Sequence, residues 1–308
     1  MKFLFTVFFL LCLQAVVHAQ QITYETVYVD YDSAVEFKNL RIIPIRPKQG
    51  SGNKTFGIVS LSQALEKGLA TVSERGTAST ENVHYLRIQN HSDKTIYVAS
   101  GEIISGGRQD RMVTRDSLLA PDGRDQYISV MCVEEGRWSD KEKKFGTGIF
   151  ANPALRRVLD IDKNQVLIWQ EVARQLGNYD IKNKSLGYLS RYSDKKREPL
   201  QDEYFQYFQK KFRAMDSTVV GIVCMTGDTV IGSDIFADRD LFYGMLDPLL
   251  KGYCDQAFFM GNPVTITHEE VKKYMDNLLT DEKTQAAFLK ENGKIFRQNG
   301  EVIHINSY

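Results

Sequence analysis

The chain has 308 residues, with 39 basic and 39 acidic side chains, so its formal net charge at pH 7 is zero. A neutral chain with interspersed charges offers no basic surface for nucleic acid or for an anionic membrane, and we expect neither as a partner. The length allows one large domain or two closely packed ones, and it is ample for a hydrophobic core that needs no disulfide.

Residues 1–19 predict a cleavable signal peptide. A positively charged start precedes an apolar run from Phe3 to Leu13, and Ala19 supplies a small residue at the cleavage position before Gln20. The run is shorter than the roughly 20 apolar residues that a membrane anchor needs. We therefore expect an exported protein, periplasmic or secreted, that begins at Gln20 and has no membrane span after cleavage.

Three cysteines follow the predicted signal peptide, and an odd number cannot be fully paired within one chain. Cys132 and Cys224 each lie in an apolar, strand-like run, which is typical of a small buried thiol. Whether any two of Cys132, Cys224 and Cys254 form a disulfide stays open at this point, and so does the oligomeric state.

The first half of the chain, residues 20–150, is predicted to be rich in strands because Val, Ile, Thr and Tyr alternate with polar residues. Strands are expected at 22–31, 38–46, 69–75, 83–89, 94–99 and 127–133. A short helix is expected at 61–67 and an exposed loop at 49–53. The turn residues 90–93 predict that 83–89 and 94–99 pair as a hairpin.

The second half, residues 151–308, is predicted to combine helices with two β-hairpins. Helices are expected at 153–162, 164–176, 200–214, 239–257 and 268–278, and a surface loop at 178–198. Gly227-Asp228 and Asn299-Gly300 predict the turns of the two hairpins. This order favours an α+β fold over residues 20–308, either as one domain or divided near residue 150.

The densest polar stretch, residues 100–138, contains the candidate site. Glu102, Gln109, Arg111, Glu134 and Arg137 adjoin apolar strands there, so folding would place charges of both signs in one partly buried region. Such a region needs paired side chains or a ligand. A structural network of ion pairs and turns is the alternative, because such networks resemble binding sites.

The same stretch resembles the domain family named for its association with ADP-ribosylglycohydrolase and rhodanese-phosphatase proteins. The matching positions are Gly101-Glu102, Gly106 or Gly107, Gln109, Arg111, Cys132-Val133-Glu134 and Gly136-Arg137-Trp138. Asp110 stands where the family usually has Asn. The later segments 234–236 (Asp-Ile-Phe) and 300–304 (Gly-Glu-Val-Ile-His) are also similar, so the resemblance covers most of the chain. It implies a domain of undefined activity with a link to ADP-ribose metabolism.

Three functions are open. The first is a ligand-binding domain in which arginines bind an ADP-ribose-like, phosphorylated or polyol ligand and an aromatic wall encloses it. Its pocket would consist of Glu102, Gln109, Arg111, Glu134, Arg137 and Trp138. The second is a hydrolase in which Glu102 and Glu134 act as general acid and base. The third is an interaction module of the cell envelope without a small-molecule site.

Other chemistries lack their residue patterns. The histidines after the predicted signal peptide do not pair at metal-ligand spacing, so we expect no metal and no cofactor. The sequence contains no Gly-x-Ser-x-Gly nucleophile elbow and no phosphate-binding loop that ends in Lys. The apolar setting of Cys132 argues against a nucleophilic thiol.

Overall fold

The computed structural model describes residues 21–49, 56–76, 83–139, 143–215 and 218–308. The predicted signal peptide lies outside the described residues, as does most of the loop expected at 49–53. Within the described ranges the chain forms seven α-helices and 16 strands, an α+β mixture with a strand-rich first half. The predicted fold class is therefore confirmed. No helix in these ranges is long and apolar enough to cross a bilayer.

The strands of the first half are β1 (Val27–Val29), β2 (Val35–Phe37), β3 (Leu40–Pro47), β4 (Val59–Ser60), β5 (Ala70–Glu74), β6 (Tyr85–Asn90), β7 (Ile96–Val98), β8 (Glu102–Gly107), β9 (Arg111–Val113), β10 (Ser117–Leu119), β11 (Asp125–Cys132) and β12 (Lys143–Phe150). The strands of the second half are β13 (Gly221–Thr226), β14 (Thr229–Phe236), β15 (Gly293–Gln298) and β16 (Glu301–Ser307).

The helices are α1 (Leu61–Glu66), α2 (Pro153–Asp162), α3 (Gln165–Asn178), α4 (Glu198–Ala214), α5 (Arg239–Met260), α6 (His268–Leu279) and α7 (Glu282–Asn292). Side-chain caps fix several of their starts. Asp238 accepts hydrogen bonds from the first turn of α5, and Thr267 forms a reciprocal capping box with Glu270 at α6.

Three sheets organise the strands. The largest has seven strands in the order β1-β3-β13-β14-β16-β15, with β2 paired along β3. A six-stranded sheet has the order β12-β8-β9-β11-β6-β5, and a three-stranded sheet has the order β10-β7-β4. Because β3 pairs with β13, the largest sheet takes strands from both halves of the chain.

The largest sheet is buried on both faces, and its central strand β13 is accordingly apolar from Ile222 to Met225. Ile222 and Cys224 pack into the core that α4 and α5 cover. Their neighbours Val223 and Met225 point the other way, into the core that α6 and α7 cover. The sheet thus holds two cores together, and the polar groups between them must be paired.

The predicted hairpin between 83–89 and 94–99 is wrong. β6 pairs with β5 and β11, whereas β7 pairs with β10 and β4. The turn itself forms, because the Asn90 side chain donates to the carbonyl of Lys94 at 2.8 Å. The same amide also donates to the carbonyls of Leu119 and Ala120 at 3.2 Å, and these bonds tie the turn to the end of β10. The chain therefore crosses to another sheet.

The stretch 178–198, expected as a surface loop, is partly buried. It contains a short 3₁₀ helix, Tyr188–Tyr192, in which Tyr188 and Arg191 are fully buried. In α3 the buried face consists of Ile168, Val172, Gln175 and Leu176, while the apolar Val166 and Leu167 are exposed. The position of the inward face depends on this 3₁₀ segment, which the local pattern does not reveal.

Candidate functional site

Two turns of the chain meet where the sequence analysis expected a site. The hairpin between β8 and β9 contributes Gln109, whose side-chain amide donates to the carbonyl of Glu134 at 2.7 Å. Arg111 Nη1 donates to the carbonyl of Gln109 at 2.9 Å. The Glu134 carboxylate accepts from Arg137 Nε at 2.5 Å and from the Ser185 hydroxyl at 2.6 Å. Four of the six predicted residues are therefore brought together.

Arg137 clamps the β8–β9 turn. Its Nη2 donates to Asp110 Oδ1 at 2.9 Å and its Nη1 to the carbonyl of Gly107 at 3.2 Å. Burial, together with the charge of Glu134, raises the pKa of Asp110, and the backbone N–H of Gly106 partly offsets this effect. At Gly106 the backbone has φ +100°, and a Cβ there would lie 2.2 Å from the carbonyl oxygen of Lys144. Glycine at this position therefore lets the β8–β9 hairpin approach the backbone of β12 closely.

Glu102 lies apart from that network. It is fully buried, and its Oε1 accepts a hydrogen bond from Thr147 at 2.8 Å, while Oε2 has no partner among the described residues. Burial raises the pKa of Glu102 to about 7. Trp138 is 43% exposed, with the Arg111 guanidinium 6.0 Å from its ring centre. None of the six predicted residues lines the cavities described below.

A second polar cluster forms around Asp234, one of the residues that carry the family resemblance. Arg156 of α2 binds the Asp234 carboxylate with both Nη atoms, at 2.9 and 2.7 Å. The hydroxyl of Tyr253 donates to the same carboxylate at 2.7 Å. His304 Nε2 lies 2.9 Å from Asp234 Oδ1. All four side chains are buried, so this carboxylate depends entirely on protein partners.

Both ring nitrogens of His304 face acceptors. Nε2 faces the Asp234 carboxylate, and Nδ1 lies 2.9 Å from the hydroxyl of Tyr97. That hydroxyl donates to Asp116 Oδ1 at 2.5 Å, so its oxygen must accept from Nδ1. Burial opposes a charged ring, but the carboxylates of Asp116 and Asp234 outweigh burial and raise the pKa of His304. The hydrogen-bond pattern therefore assigns an imidazolium to His304.

Asp116 connects this cluster to a cavity of about 450 Å³. Lys294 Nζ lies 2.9 Å from Asp160 Oδ1 and 3.4 Å from Asp116 Oδ2, and all three residues line the cavity. The hydroxyl of Tyr308 also donates to Asp160, at 2.7 Å. Three further cations, Arg115, Lys163 and Lys290, complete the charged part of the cavity wall. We refer to this space as the charged cavity.

The paired charges at and behind the wall of the charged cavity balance. Three carboxylates, Asp116, Asp160 and Asp234, face three cations, which are Arg156, Lys294 and the imidazolium of His304. The pKa values of Asp116 and Asp234 lie well below the usual range because these cations outweigh the cost of burial. Among the residues that line the charged cavity, the exposed cations of its wall have no carboxylate partner and leave a surplus of positive charge.

Sequence reasoning missed most residues of this site, among them the charged residues Asp116, Arg156, Asp160 and Lys294. A signal was present at Arg156, because the residue lies next to the apolar Leu155 on the inward face of the predicted helix 153–162. A charged residue on an inward face requires a buried counter-charge. The counter-charge is Asp234, which the sequence analysis noted only for its resemblance.

Within the described ranges, no three His, Cys, Asp or Glu side chains are arranged to hold a metal ion. No disulfide joins any two of Cys132, Cys224 and Cys254, and all three are buried. Burial also raises the pKa values of the Cys224 and Cys254 thiols, so neither has thiolate character.

The fold and the site define an α+β domain with a clamped glycine turn and a charged cavity backed by buried ion pairs. A family model, the ARG and Rhodanese-Phosphatase-superfamily-associated Protein domain, matches residues 28–305. The chain belongs to this family, as the motif in residues 100–138 implied. Comparisons with curated proteins and with solved structures give no significant match.

The clamp predicts strong coupling between Glu134 and Arg137. Their side chains are 8% and 14% exposed, so Arg137→Ala leaves a largely buried carboxylate and should lower the free energy of unfolding by about 3–5 kcal/mol. The double variant with Glu134→Ala should cost less than the sum of the single changes. Arg213→Ala, which breaks an exposed pair with Asp247, is the control at about 0–1 kcal/mol. Urea unfolding measures all four variants, and additive losses near the control value would refute the clamp.

Glu102 predicts a dependence of stability on pH. Its folded pKa of about 7 lies above the unfolded value of 4.5, so the folded state binds more protons between these pH values. Stability should therefore fall as pH rises through this window and level off above it. Glu102→Gln should recover about 3 kcal/mol at pH 8 and little at pH 4. Thermal unfolding across pH tests this, with the exposed Glu25→Gln as control; an equal gain at both pH values would contradict it.

Proposed function

We propose that this protein binds a small phosphorylated ligand in the charged cavity. The observation that carries the proposal is the surplus of positive charge on the cavity wall. Arg115, Lys163 and Lys290 line it and make no hydrogen bond or ion pair with described residues. Unpaired cations on a concave surface attract an anion, and a phosphate offers several acceptor oxygens to them.

The size of the charged cavity supports a ligand larger than phosphate alone. Its volume of about 450 Å³ falls within the range typical of small-molecule sites, roughly 300–1,000 Å³. Phe296, Leu289 and Ile161 add apolar surface to the wall. A phosphorylated sugar or nucleotide would place its phosphate on the cations and its remainder on this apolar surface. An ADP-ribose-like ligand, which the family's association implies, belongs to this class.

The central motif supports the charged cavity from behind in this proposal. Glu134 and Arg137 bind each other and hold the β8–β9 turn. From β9 the chain runs directly into Thr114, Arg115 and Asp116, which line the charged cavity. The N–H of Ser100 also donates to Asp116 Oδ1 at 3.3 Å, so both ends of the hairpin fix this acid. The motif would then act by positioning the cavity wall.

We further propose that the protein works outside the cytoplasm. The support is the sequence of residues 1–19, with its charged start, apolar run and small residue at the cleavage position. The intact mass of protein recovered from the periplasm or medium should correspond to a chain that begins at Gln20. Retention of residues 1–19 on the recovered protein would refute export by this route.

Pyrophosphate and ribose 5-phosphate test the binding proposal. Both should raise the unfolding temperature, and saturation at a hundredfold excess over Kd should add about 2.7 kcal/mol of stability. The double variant Lys163→Met/Lys290→Met should weaken binding at least tenfold while leaving the unfolding temperature of the free protein unchanged, because neither lysine has a partner among the residues that the structure describes. Binding should also weaken as salt is raised.

The matched control replaces two exposed lysines outside the charged cavity, as Lys210→Met/Lys273→Met. It removes the same formal charge, so it corrects for general electrostatic attraction. Isothermal titration calorimetry of both double variants gives the comparison. Equal weakening in the two double variants, or no binding of either phosphate compound to the unmodified protein, would contradict the assignment of the charged cavity.

A further inference from the structure

A second, smaller cavity contains a buried amide that lacks partners. It has a volume of about 160 Å³ and shares no lining residue with the charged cavity. α4 contributes Gln201 and Phe205, β12 contributes Ile149, and α5 contributes Cys254 and Asp255. We refer to it as the amide cavity.

Gln201 is only 7% exposed, yet neither its side-chain oxygen nor its side-chain nitrogen has a hydrogen-bond partner among the described residues. Buried polar side chains are paired in the large majority of cases, and an unpaired one costs stability. Helix α4 could carry Leu at this position and bury it without that cost. Both polar atoms of Gln201 are thus available to a molecule in the amide cavity.

We propose that the amide cavity binds a small neutral ligand that carries a carboxamide or lactam group. The Gln201 amide presents one acceptor and two donors in a single plane. A group with an N–H beside a carbonyl oxygen pairs with both sides of it at once. A carboxylate would leave the Gln201 oxygen facing an anion, and a cation would leave the Gln201 nitrogen unpaired.

The surrounding charges favour a neutral ligand over an anion. Two exposed acids, Glu198 and Asp202, line the amide cavity toward solvent. The buried Asp255 is already bound by Arg191, through Nε at 3.0 Å and Nη2 at 2.7 Å, so it needs no ligand cation. Lys251 lies over the ring of Phe205, 5.2 Å from its centre. Glu198 and Asp202 outnumber the single lysine Lys251 on this wall, so the amide cavity has no surplus of positive charge for an anion.

The apolar lining and the volume fit one ring. Phe205 and Ile149 give a planar group apolar surface to contact, and the Cys254 thiol, whose pKa burial raises, acts as a small apolar neighbour. An engineered apolar cavity of about 150 Å³ admits benzene. The amide cavity can therefore hold a six-membered ring with a carboxamide directed at Gln201.

Benzamide and benzoate test the proposal as a pair, because they share one shape and differ in charge and in the N–H donors. The full chain should bind benzamide at least tenfold more tightly than benzoate in NMR titrations. Gln201→Leu should weaken benzamide binding at least tenfold while its unfolding temperature stays equal or rises, because an unpaired buried amide is removed. Gln206→Leu, the same change on the exposed face of α4, should bind benzamide like the parent.

Three results would overturn the proposal. Benzoate binding as tight as benzamide would remove the role of the amide. Unchanged benzamide binding in Gln201→Leu would place the probe elsewhere. No benzamide binding up to its solubility limit would mean that the amide cavity holds water only. Binding of pyrophosphate is independent of all three, because the charged cavity shares no residue with this one.

Discussion

The Asp234 carboxylate is the interaction on which the rest of the structure depends. It is fully buried in β14 and binds Arg156 of α2, Tyr253 of α5 and His304 of β16. These elements come from three separate parts of the chain and meet at one negative charge. A buried charge without partners is very unfavourable. The ionised Asp234 side chain is therefore stable only where these three partners surround it. It thereby ties α2 and α5 to the largest sheet.

A chain of hydrogen bonds runs from Asp234 through His304 and Tyr97 to Asp116, at the wall of the charged cavity. The carboxylates raise the pKa of His304, and Lys294 together with the imidazolium lowers the pKa of Asp116. A histidine whose folded pKa is raised contributes stability fully below its unfolded pKa, and this contribution is lost as pH rises through the folded pKa. Glu102, whose pKa burial also raises, acts in the same direction, so both groups contribute more to stability below neutral pH than above it.

The sequence predicts local elements well and long-range contacts poorly. Helix α5 and the hairpin β13–β14 follow from periodicity and turn residues, because those signals lie within a few positions of each other. The motif in residues 100–138 identifies the glycine turn between β8 and β9 and the charged residues beside it. Arg156 and Asp234, however, lie 78 positions apart, and Tyr308 binds Asp160 across 148 positions. No spacing rule joins such pairs, and the wrong partner assigned to β7 has the same origin.

The protonation of His304 is the most direct test of this account. Long-range proton–nitrogen NMR correlations at pH 7 report both ring nitrogens separately. Both should carry a proton, and Asp234→Asn should shift the ring toward the neutral form, since Asn offers no negative charge. A neutral ring in the parent protein, with one unprotonated nitrogen at pH 7, would contradict the charge balance behind the charged cavity.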